Sequence, residues 1–146
     1  MVDKIKERNL TSFLSYEHEW ASKDGIHVID YRNILRESIF TLCPWGINPE
    51  SLRLYEAMEA GSIPIFQRLN SSRSPMTPMG ANNPIPQFDN WSDAIDFVDK
   101  MRQNFSELEK LQQRIISFYK WYKESVQLKV KHVIDKAFKE SHGYDC

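Results

Sequence analysis

A serine, an arginine and a glutamate (Ser51, Arg53 and Glu56) follow Gly46 at a point where an apolar run stops and a helical pattern begins. A glycine-containing loop that opens onto a helix presents unpaired backbone N–H groups and the positive end of the helix dipole. Both favour a bound diphosphate. Ser51 can donate a hydroxyl to a phosphate oxygen, and Arg53 offers a planar fork for two such oxygens. Glu56 lies one turn beyond Arg53 and can accept both hydroxyls of a ribose, as acidic residues do in nucleotide-binding folds. The same spacing also describes an exposed i,i+3 ion pair between Arg53 and Glu56, worth roughly a few tenths of a kcal/mol. Spacing alone leaves both readings open.

The elements that would position this set can be read on either side of it. Residues 1 to 25 are polar with aromatic interruptions and read as an irregular or short helical leading segment. Asp24-Gly25 is a turn signal, and Ile26 to Ile29 is a short apolar run expected as a strand. Asp30 is placed to cap a helix from Tyr31 to about Glu37. Ile39 to Cys43 is a β-prone run stopped by Pro44, a buried strand. A helix is expected from Pro49, where the missing proline donor costs nothing, to Ala60, with Gly61 as its C′ residue. Ser62 to Phe66 is a further buried strand, which completes a strand–helix–strand unit of a parallel sheet. Residues 67 to 84, rich in Ser, Pro, Met, Gly and Asn, read as a long loop.

Beyond the loop, Ile85 to Phe88 is a last strand, and Asn90 caps a helix from Trp91 to Gln103. Ser106 with Glu109 matches a capping box. Ile115, Phe118, Tyr119, Tyr122, Val126, Val130, Val133, Ile134 and Ala137 then keep one apolar stripe at helical period. Such a stripe must lie across the sheet or across a further domain. The expected class is α/β: a Rossmann-like parallel sheet over residues 26–103, flanked by helices, with long C-terminal helices over residues 104–146.

Bulk properties exclude several functions. The 146 residues carry a net charge of −1, so no global field draws the chain to nucleic acid. No apolar run approaches the ~20 residues of a membrane-spanning helix. Cys43 sits in an apolar run and Cys146 at the end, which is no disulfide framework. Asn9, Asn70, Asn90 and Asn104 each begin a glycosylation acceptor triplet, a pattern that favours a luminal or secreted history. His18 and His27 read as solvated or packed side chains. Asp93, Asp96 and Glu107, with Lys100 and Arg102, read as solvated helix faces. Of the tryptophans, Trp45 stands in the site loop, where it could stack on a sugar or a base.

The wording of Thr41 to Ala57 (Leu-Cys-Pro-Trp-Gly-Ile-Asn-Pro-Glu-Ser-Leu-Arg-Leu-Tyr-Glu-Ala from Leu42), followed by Gly61-Ser62-Ile63-Pro64-Ile65, resembles the donor-binding signature of the exostosin-type glycosyltransferases. It is most similar to the ribitol xylosyltransferase branch, over about residues 26 to 138. That resemblance implies the C-terminal half of a GT-B fold and transfer of a sugar, xylose in that branch, from a UDP-sugar to a glycan acceptor in the Golgi lumen. It implies that Ser51 and Arg53 face the diphosphate, that Glu56 holds the ribose, and that Gly46, Asn48 and Glu50 lie on the donor loop near sugar or phosphate. It also implies an inverting reaction without metal or cofactor, since the chain holds no Asp-x-Asp triplet. An N-terminal half-domain, absent from this sequence, would supply the acceptor site and the catalytic base. The alternative is a module of the same fold that binds nucleotide sugar or a partner without chemistry.

Overall fold

The computed structural model describes residues 1–14, 25–45, 51–68, 79–80 and 82–142. Its elements are α1 (Val2–Glu7), α2 (Val28–Glu37), β1 (Phe40–Cys43), α3 (Leu52–Ala60), β2 (Ile63–Gln67), β3 (Gln87–Phe88), α4 (Trp91–Arg102) and α5 (Phe105–His142). The strands form one parallel sheet in the order β1-β2-β3. The expected class is met: an α/β arrangement with helices against a parallel sheet and a long helix at its end.

The central strand explains itself in residue types. Ile63, Pro64, Ile65 and Phe66 are all buried, the continuous apolar run of a strand covered on both faces. A proline in a central strand ordinarily removes a ladder bond. Here Ile63 N–H donates to the Ile39 carbonyl at 2.8 Å, on the β1 side, and Phe66 N–H donates to Pro86 at 3.0 Å on the other side. Alternation along the strand therefore turns the Pro64 nitrogen toward β3, which pairs only from Phe66 onward. Pro64 sits where β2 has no second neighbour to lose.

Local signals set most helix ends. Asn90 accepts from Asp93 N–H at 2.9 Å and caps α4 as expected. Gly61, at φ +82, ends α3 in the left-handed region, with its own N–H on the Met58 carbonyl and Ser62 N–H on Ala57. Two ends differ from expectation. The α5 helix starts at Phe105, and Asn104, not Ser106, supplies the side-chain oxygen, accepting from Glu107 N–H at 3.3 Å. The α3 helix begins at Leu52 with Ser51 as its N-cap; Pro49 lies outside the described residues.

The expected strand at Ile26 to Ile29 is not formed. Instead α2 begins at Val28, His27 is its N-cap and accepts from Ile29 N–H at 3.4 Å, and Asp30 lies in the first turn, not at the cap. Val28 and Ile29 are 55% and 58% exposed, so the apolar run is not buried as a strand of the sheet would be. A carboxylate at the positive helix end then favours the helix.

The first residues take the short-helix form of the expected leading segment. α1 is a short helix whose Ile5 is buried; its Lys4 and the C-cap residue Arg8 reach Asp96 of α4 at 2.6 and 2.7 Å. Asp96 stays on an exposed helix face, as read from sequence, and also ties α4 to the first residues of the chain.

α5 runs back along α3. Gln112 Nε2 donates to the Gly61 carbonyl at 2.7 Å, Lys123 pairs with Glu59 at 2.8 Å, and the Tyr122 ring stands 6.5 Å from Tyr55. The apolar stripe is used only this far. Ile115 is buried and Tyr119 and Tyr122 are half-buried, but exposure rises from 38% at Val126 to 64% at Val133. Residues 126 to 142 extend for about 25 Å at the α-helical rise. None of the helices among the described residues is long and apolar enough to cross a membrane.

Candidate functional site

β1 runs parallel to β2 and ends at Cys43, and α3 returns from that end of the sheet. The start of α3 therefore lies at the carboxyl edge, where ligands of open α/β sheets bind. Ser51 makes no capping hydrogen bond to its own helix. Its hydroxyl is left without a helical partner; of the first-turn N–H groups, that of Leu54 already donates to the Ser51 carbonyl at 3.1 Å, which leaves those of Leu52 and Arg53 for a ligand.

Arg53 and Glu56 are both exposed, one turn apart on α3. They do not form the ion pair that their spacing allows: among the described residues no nitrogen of Arg53 lies within 4.0 Å of a Glu56 oxygen. Glu56 is engaged from another helix. The Tyr31 hydroxyl of α2 donates to Glu56 Oε2 at 2.7 Å. Burial, then the Glu56 hydrogen bond and charge, push the Tyr31 phenol up to about 12, while Arg53 acts on the same hydroxyl in the opposite sense. Arg53 also opposes the burial that raises the Cys43 thiol to about 12. Its guanidinium is thus within electrostatic reach of both the β1 end and Tyr31. Cys43 is free, buried and protonated at neutral pH, a core residue as expected.

The chain leaving β1 is tied to the end of β2. The Trp45 indole Nε1–H donates to the Gln67 carbonyl at 2.6 Å, and Gln67 Nε2 donates to the Asp89 carbonyl at 3.3 Å. Beneath, Thr41 and Ser62 share a buried hydroxyl hydrogen bond of 2.7 Å, joining β1 to the start of β2. The later part of the expected loop is organised by Asn83, which accepts from Ile85 N–H at 3.0 Å.

Of the expected site residues, the structure brings Ser51, Arg53 and Glu56 to one helix start; Gly46, Asn48 and Glu50 lie outside the described residues, as does His18. His27 is a helix cap and stands exposed. Tyr31 was missed. Nothing in its local sequence signals a partner 25 positions away. Among the described residues no group of three or more His, Cys, Asp or Glu side chains could hold a metal ion.

The family model for the RXYLT1 C-terminal domain matches residues 2–139. The chain belongs to that family. The chain is similar to ribitol-5-phosphate xylosyltransferase 1 of Mus musculus, 27% identical over 142 residues, covering 86% of this chain and 31% of the mouse protein. The Homo sapiens protein of the same name is 27% identical over 137 residues, covering 84% of this chain and 30% of its own length. That of Danio rerio is 26% identical over 151 residues, covering 94% and 35%. The chain of this RXYLT1-domain protein thus spans about a third of the length of the curated relatives it matches. No solved structure matches it.

Proposed function

We propose that this chain is the donor-binding part of a glycosyltransferase that moves a xylosyl group from a UDP-sugar to a ribitol phosphate-bearing glycan in the Golgi lumen. One observation supports this reading most. Ser51, Arg53 and Glu56 stand together at a helix start on the carboxyl edge of a parallel sheet, and Arg53 is not neutralised by Glu56. Family membership and the printed activity of the relatives point the same way.

In this reading Ser51, the Arg53 side chain and the N–H groups of Leu52 and Arg53 at the start of α3 hold the diphosphate, Glu56 holds the ribose, and Gly46, Asn48 and Glu50 line the donor loop. An acceptor hydroxyl oxygen attacks the anomeric carbon on the face opposite the nucleotide. The anomeric C–O bond to UDP breaks, UDP leaves with its electron pair, and a carboxylate of a second half-domain takes the hydroxyl proton, which inverts the configuration. Arg53 and the helix dipole stabilise the charge growing on UDP without metal or cofactor. The exposed stripe Val126, Val130, Val133, Ile134 supports an apolar partner surface, and the second half-domain is the occupant this reading assigns to it.

Titration calorimetry of UDP into the folded chain tests the core of the proposal. Saturable binding is expected, and a folded sample that takes up no UDP would refute it. The exposed stripe also favours a second reading, an interaction module without chemistry. That reading expects a complete two-half protein to transfer no sugar from any UDP-sugar.

A further inference from the structure

Tyr31 belongs to a different helix from the residues of the proposed donor site, yet its hydroxyl reaches into them. It donates to Glu56 Oε2 at 2.7 Å, and α2 packs along α3 to bring it there. Among the described residues Glu56 Oε1 accepts no hydrogen bond, and the carboxylate is exposed. On a bare helix, Arg53 and Glu56 at i,i+3 attract each other weakly. Whatever fraction of the time they pair, each is turned from a ligand that needs both. The Tyr31 hydroxyl gives the Glu56 carboxylate a donor other than Arg53, and it does so with a ring that is half-buried and held by α2.

Resting on the donor reading above, we propose that Tyr31 is a positioning residue for nucleotide recognition. It holds Glu56 by one oxygen, so that the other is free for a ribose hydroxyl, and Arg53, which also lies beside the Tyr31 hydroxyl, stays out of an ion pair with Glu56.

The chemistry makes this separable from a packing role. Removing the hydroxyl alone, by Tyr31→Phe, keeps the ring against α3 and lets Arg53 and Glu56 pair. Loss of a hydrogen bond to a charged acceptor is expected to weaken UDP about tenfold. The loss should concentrate on the ribose. Wild type should prefer UDP to 2′,3′-dideoxy-UDP, and Tyr31→Phe should lose most of that preference. A merely structural role would weaken both nucleotides by the same factor.

The experiment is calorimetry of both nucleotides on wild type, Tyr31→Phe, Glu56→Ala and the double variant, with circular dichroism confirming the fold. Support is a preference that collapses in Tyr31→Phe and does not fall further in the double variant. A preference kept intact in Tyr31→Phe, or both nucleotides weakened equally, overturns the Tyr31 assignment while the donor reading stands. Wild type that binds UDP without any ribose preference overturns it through Glu56. Wild type that binds no UDP removes the donor reading, and Tyr31 with it.

Discussion

Replacing Arg53 by alanine should separate ligand binding from folding, because the side chain is exposed and none of its nitrogens lies in an ion pair among the described residues. Truncating such a side chain near the start of a helix is expected to change stability by within about 0.5 kcal/mol. Its expected contribution to a bound diphosphate is larger. Charge-assisted hydrogen bonds contribute about 1.5–3 kcal/mol each, so the variant should bind UDP ~10–100-fold more weakly. These figures convert into a thermal shift. At UDP one hundred times above the wild-type dissociation constant, mass action stabilises the fold by about 2.7 kcal/mol, which for a chain of this size raises Tm by ~8 °C. With affinity about thirtyfold lower, the same UDP concentration stabilises by only ~0.9 kcal/mol, a rise of ~2–3 °C. Differential scanning fluorimetry with and without UDP reads both quantities in one plate. If Arg53→Ala keeps the full ligand-induced shift, the diphosphate is not held by Arg53. If its ligand-free Tm falls steeply, Arg53 is part of the fold and the separation fails.

Three further outcomes follow from packing and charge. Ile65, fully buried in the central strand, should cost about 2–5 kcal/mol when cut to alanine, whereas Val133→Ala should cost under about 0.5 kcal/mol; urea denaturation compares them. At Gly61, a Cβ would meet no atom within 4 Å, so Gly61→Ala should cost only the left-handed backbone penalty of about 1–2 kcal/mol, and Gly61→Asn less. The hydrogen bond from Lys123 holds Glu59 below its ordinary 4.5, and the same contact raises Lys123 above 10.5. Stability from a lowered carboxylate is present above its unfolded pKa and lost as pH falls through the folded value. That from a raised amine is present below its unfolded pKa and lost as pH rises through the folded one. The Tm difference between wild type and Glu59→Gln should therefore be largest near neutral pH and vanish in acid; a difference that persists in acid would mean that the ion pair is not its source.

Local chemistry wrote much of this protein in its sequence. The αL turn at Gly61, the Asn90 cap and the apolar runs of β1 and β2 are decided by residues within a few positions of each other, so their types suffice. The placement of Ser51, Arg53 and Glu56 on one helix start was legible for the same reason. What could not be read there depends on neighbours distant in the chain. Ile26 to Ile29 have strand propensity, but Val28 and Ile29 stand exposed outside the sheet and open a helix. Ser106 had the capping pattern, but Asn104 was better placed to accept the first free N–H. The α5 stripe keeps its period to Ala137, but only packing along α3 decides that burial stops near Tyr122. Periodicity names a face; it does not supply what covers it. The pairing of Glu56 went the same way. Spacing offered Arg53, whereas docking α2 on α3 brought in Tyr31, because a hydrogen bond follows distance in space, not along the chain.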